Sequence, residues 1–127
     1  MEFSIKSASS SQELTIFNRD GEYFEVQLAG VVSAHIRVYA YTDEQGLNNL
    51  FQKLGGMNKP WKGELAWESL EGEFKISASC SSLGQVQFNI ALWGLPGHPE
   101  EWRVNSGLVS EFGQLHAIAN RANRFFS

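Results

Sequence analysis

The chain has 127 residues, a net charge of −4 and a pI near 5.3, with 43% hydrophobic and 19% charged residues. A mildly acidic chain has no general attraction for nucleic acid, no apolar run approaches the roughly 18 residues of a membrane span, and the N-terminus lacks a secretory pattern. The single cysteine, Cys80, excludes an internal disulfide and a cysteine-based metal framework.

Length and composition suit one α+β domain over residues 1–127, cytoplasmic and without cofactor. Residues 7–12, SASSSQ, are a polar loop. From there period-2 alternation dominates, broken by two helical stretches. Leu14 and Ile16 alternate with Thr15, and Phe24, Val26 and Leu28 with Glu25 and Gln27. The intervening Asn18–Glu22 segment predicts a hairpin with a three-residue loop ending in Gly21, which pairs Ile16 with Phe24. In VSAHIRVYAY, Val32, Ala34, Ile36, Val38 and Ala40 share the core face, while His35, Arg37, Tyr39 and Tyr41 share the other. Pairing Leu28 with Val32 places Glu25 opposite His35 and Tyr23 opposite Arg37.

Thr42 and Gln45 have capping-box spacing, so the first helix is expected to open at Thr42. Leu47, Leu50, Phe51 and Leu54 form its stripe, and Gly55-Gly56 its end through a left-handed glycine. After a loop, LAWESL and EFKISASC make a hairpin around Glu71-Gly72, with Trp67 opposite Ile76, Leu65 opposite Ala78 and Glu68 opposite Lys75. The glutamates of this stretch invite an acid/base reading. Glu64 and Glu68, however, stand roughly 13 Å apart along a strand, beyond the about 5–9.5 Å of glycosidase carboxylate pairs. They read as the solvated face of a hairpin, with Glu68 and Lys75 as an ion pair.

Val86, Phe88, Ile90 and Leu92 predict the next strand, and residues 102–109 another, joined by the stiff loop GLPGHPEE with Trp102 packed inward. Ser110 is the expected N-cap of the last helix, whose stripe is Leu115, Ile118, Ala122 and Phe125. The fold expected is α+β: a largely antiparallel sheet of about seven or eight strands with two helices on its apolar face. The two halves rhyme, since each ends in a strand and a helix with a leucine five residues after the cap.

The run WKGELAWESLEGEF, with alternation after it and Gly84 before VQFNI, resembles an uncharacterised bacterial family, a domain of unknown function. Its members show a similar W-x-G-x-x-x-W-x-S-L-E-G core and a similar closing helix, and the resemblance runs from about residue 22 to the end. It implies no activity and no catalytic residues. Some small acidic bacterial proteins of this type are toxin-neutralising immunity proteins, which makes a class-level analogy.

No H-E-x-x-H, G-x-S-x-G, P-loop or G-x-G-x-x-G occurs, and His35, His98 and His116 have no metal-ligand spacing. Cys80 ends a core-facing alternation and reads as an inert buried thiol. Two surfaces remain as binding candidates. One is the sheet face of Glu25, His35, Arg37 and Tyr39, where a carboxylate can orient an imidazole and Arg and Tyr are interface-prone. The other is the stiff loop that shows Leu95 and His98. The function expected is a non-catalytic protein-interaction protein, immunity-protein-like. The alternative is a small-ligand-binding protein or enzyme with a pocket on the His35/Arg37 face. The partner expected is another protein or a second copy of the chain, with no metal, nucleic acid or membrane.

Overall fold

A computed structural model describes all residues 1–127. Its eight strands are β1 (Glu2–Lys6), β2 (Glu13–Asp20), β3 (Tyr23–Ala29), β4 (Ala34–Tyr39), β5 (Leu65–Glu68), β6 (Phe74–Cys80), β7 (Gln85–Gly94) and β8 (Trp102–Glu111). Helix α1 (Gly46–Gly55) follows β4, and α2 (Leu115–Phe126) follows β8 after one 3-10 turn at Phe112–Gln114. Every pairing is antiparallel, in two sheets of four ordered β1-β2-β3-β4 and β5-β6-β7-β8. The α+β class holds, with the strands divided between two meanders, each followed by a helix. The helices pack on each other; α1 also meets β5, the first strand of the other half, and α2 meets β1. No helix is long and apolar enough to cross a membrane.

One cluster of 27 buried residues draws on both sheets and both helices. Eleven of the expected core residues are buried: Phe24, Val26, Val38, Leu50, Phe51, Trp67, Ile76, Phe88, Ile90, Leu115 and Ile118. Ile36 packs against them from a partly buried position. The strand that alternation passes over is β1, where Phe3 and Ile5 enter the core.

Two hairpin registers differ from expectation by two residues, which preserves the faces. Ile16 pairs with Val26 and Leu14 with Leu28, while Asp20 pairs with Tyr23 across Gly21-Glu22. Asn18, at φ 52°, is the bulge that adds the residue needed to return the apolar set to one side. Leu28 pairs with Ala34 rather than Val32. Val32 lies in the turn, where the buried Gln12 amide bonds both its N–H (2.8 Å) and its C=O (2.7 Å).

The β5–β6 register is the expected one, with Trp67 opposite Ile76 and Glu68 opposite Lys75. Its tip is longer than two residues, for Ser69 N–H bonds Phe74 O across residues 70–73. Glu68 and Lys75 are neighbours without forming an ion pair.

Both helix starts come later than expected. Thr42 takes a left-handed φ of 61° and caps nothing; α1 begins at Gly46. Asp43, inside that turn, instead accepts the Trp67 indole N–H at 2.8 Å. Ser110 is a buried residue of β8, so the strand outlasts its expected end and α2 starts at Leu115. The C-cap Gly56 is right-handed at φ −88°. Gly55 answers to packing instead: a Cβ there would collide with Ala119 of α2.

Candidate functional site

Strand alternation in β3 and β4 sends Phe24, Val26 and Val38 inward and their neighbours outward. The outward residues of the first sheet form the candidate site. Glu25 is directly opposite Arg37, and His35 opposite Gln27, yet the diagonal suffices for Glu25 Oε1 and His35 Nε2 to meet at 2.9 Å. The bulged Asn18 donates to the other carboxylate oxygen at 2.6 Å. Asn18 first, then His35 and Arg37, hold the Glu25 carboxyl below its usual value of 4.5. Phe17 stacks on the His35 ring at 5.7 Å.

Beside this polar group runs a column of rings. Arg37 lies over the Tyr23 ring at 4.1 Å. Tyr23 stacks on its cross-strand partner Tyr39 at 4.7 Å, and Tyr39 on Tyr41 at 5.5 Å. Burial first, then Glu22, pushes the Tyr39 hydroxyl's pKa up. The structure thus brings Glu25, His35, Arg37 and Tyr39 onto one face. Tyr41 and Tyr23, which alternation and pairing already set beside them, join the face, and the structure adds Phe17 and Asn18, of which Asn18 was unreadable because its role depends on the bulge. None of Glu25, His35, Arg37 and Tyr39 lines any of five surface depressions, and Tyr41 borders one of them beside Asp43 and Trp67.

Leu95 and His98 stand on the other sheet, in the β7–β8 loop. Leu95 is half-exposed at φ 53°. His98 Nδ1 accepts from Glu100 N–H at 3.0 Å, and Glu101 from Gly97 N–H at 2.7 Å, so the loop is braced by its own polar groups. Trp102 is partly buried against the core, over Gly94, where any Cβ would strike its indole. Trp93 lies on the opposite face under Arg103, at 4.1 Å. Glu73 links the sheets: its carboxylate accepts Tyr39 N–H at 3.4 Å and its carbonyl accepts Trp93 N–H at 3.0 Å.

The opening glutamates stay apart in role. Glu64 accepts from Ser77 Oγ at 3.3 Å, Glu68 and Glu71 are exposed, and Glu73 accepts from Ser69 Oγ. Cys80 is partly rather than fully buried; burial, then Glu111, raises its thiol pKa and disfavours the thiolate a nucleophile needs.

Fold and site define an α+β protein of two meander-and-helix halves whose first sheet presents an open face of stacked tyrosines and an arginine. The chain belongs to the family of unknown function DUF6228, whose model matches residues 6–127. No curated protein and no solved structure matches it.

Proposed function

We propose that the protein is a non-catalytic, cytoplasmic, bacterial interaction protein of the immunity-protein type. It engages a protein partner through the outer face of its first sheet. The observation that carries this reading is the Arg37–Tyr23–Tyr39–Tyr41 column. Mutual stacking holds these side chains in place before binding, so little rotamer entropy is left to lose. Arg and Tyr are the residue types that dominate hot spots. The face is open, which suits a macromolecular surface better than a small ligand.

The test is affinity capture from the native host with the tagged chain, followed by titration of the captured partner. Arg37→Ala with Tyr39→Ala leaves the fold intact and weakens binding about thirtyfold, roughly 2 kcal/mol. Capture that survives this change but is lost on altering Leu95 and His98 moves the site to the β7–β8 loop. Turnover of a small molecule by the purified chain overturns the class.

A further inference from the structure

The outer edge of β1 is a second, independent surface. Its polarity follows from three hydrogen bonds. Ser7 N–H bonds Gln12 O at 2.9 Å, so odd residues face β2 along this ladder. Ala8 N–H bonds Val109 O at 2.8 Å, and Ser4 O accepts from Arg121 at 3.2 Å, so even residues turn their backbone groups outward. The outward groups of Glu2, Ser4 and Lys6 line a groove of about 700 Å3 that continues to Ile118 and Arg121 of α2. Every residue of β1 lines it, as expected of a strand edge rather than of one face.

We propose that this edge pairs antiparallel with β1 of a second copy of the chain, about a two-fold axis at Ser4. The strand reads Glu-Phe-Ser-Ile-Lys. In that register Glu2 meets Lys6 of the second copy, Lys6 meets its Glu2, and Phe3 meets its Ile5. The charges complement each other on the outer face and the apolar residues on the inner one. The hydrogen-bond parity agrees, since Ser4 opposite Ser4 and Glu2 opposite Lys6 are all positions with outward backbone groups. Lys6 takes part in no ion pair within its own chain, nor does Glu2. Arg121, long and exposed, releases Ser4 O to the incoming strand. The contact is isologous and therefore closes at two copies.

The other sheet edges lack this match. β4 carries no acidic residue and β5 no basic one. β8 could set Arg103 against Glu111 about Gly107, but both outward groups of Val109 within that register are already bonded to Ser7 and Ala8.

Sedimentation equilibrium over a wide concentration range reads the association. The wild-type chain is expected to show a monomer–dimer equilibrium. Glu2→Lys or Lys6→Glu alone turns both symmetric pairs into like-charge pairs and weakens dimerisation about tenfold or more. Glu2→Lys combined with Lys6→Glu restores it. An equimolar mixture of the two single variants forms a heterodimer tighter than either homodimer. Ser4→Pro removes an outward N–H and no backbone bond to β2, losing toward that strand only the Ser4 Oγ–Thr15 Oγ1 hydrogen bond at 3.1 Å, so it abolishes dimers while preserving the circular dichroism spectrum. A wild-type chain that stays monomeric throughout overturns the proposal, as does a dimer indifferent to the charge exchange. If Ser4→Pro fails to fold, the charge exchange decides alone.

Discussion

Trp67 shows how a single side chain acquires its energetic weight. It is 9% exposed and packs on Phe24 and Phe74 at 6.3 and 6.0 Å, while its indole N–H is spent on Asp43. Trp67→Ala removes that volume from the core and costs roughly 3–5 kcal/mol. Trp67→Phe keeps most of the packing and loses the hydrogen bond, for about 1 kcal/mol in most contexts. Glu64, Glu68 and Glu71, all exposed, provide the contrast. Replacing the three together by Gln changes stability by about 1 kcal/mol or less. Urea unfolding of the four proteins measures all of these. A loss of several kcal/mol in the triple variant would mean that the carboxylates hold something together. Trp67 was legible as a core residue because alternation and a two-sided register both pointed it inward. Its bond to Asp43 was not, because the partner lies 24 positions away in a turn whose shape no local pattern dictates.

At the level of elements, the apolar stripes located both helices and the alternation located seven strands. What the sequence concealed was where elements begin, and the reasons differ. Thr42 and Ser110 carry good capping chemistry, but β8 keeps its ladder to β7 through Glu111, and a hydrogen-bonded strand outcompetes a cap. β1 was missed because five residues offer only two apolar positions. The candidate face was visible as a set of residues, whereas its neighbours across the strands depended on a register that a bulge and a four-residue turn both shifted by two. The Gly55-Gly56 pair was read as a stop signal, although its first member is a packing residue. Gly55→Ala forces α1 from α2 at Ala119 and costs about 1–3 kcal/mol. Gly56→Ala, with a Gln52 carbonyl 3.4 Å from the new Cβ and a right-handed backbone, is close to neutral. Thermal melts of the pair check the distinction. Equal effects would show that helix termination, not interhelical contact, governs the site.

The whole molecule is two similar meanders that do not share a sheet but do share a core. Each closing helix reaches the opening strand of the other half, α1 to β5 and α2 to β1. The aromatic contacts cross the same divide: Phe24 of the first half touches Trp67, Phe74 and Phe126 of the second, and Phe51 touches Phe88. A half on its own would therefore present its sheet's inner face to water without the helix and rings that cover it. A chain of some sixty residues has little margin for such a loss, since a domain that size buries only about 60% of its unfolded surface. Residues 1–60 and 61–127 expressed separately are thus each expected to give an unfolded circular dichroism spectrum. Mixed in equal amounts, they regain the sheet and helix signals and a cooperative melt, because every missing contact is supplied by the other fragment. A first fragment that melts cooperatively alone would show that β1–β4 with α1 is a self-sufficient unit. The resemblance between the halves would then extend to independent stability, and the contacts of α1 with β5 and of α2 with β1 would be an embellishment of two domains rather than the closure of one.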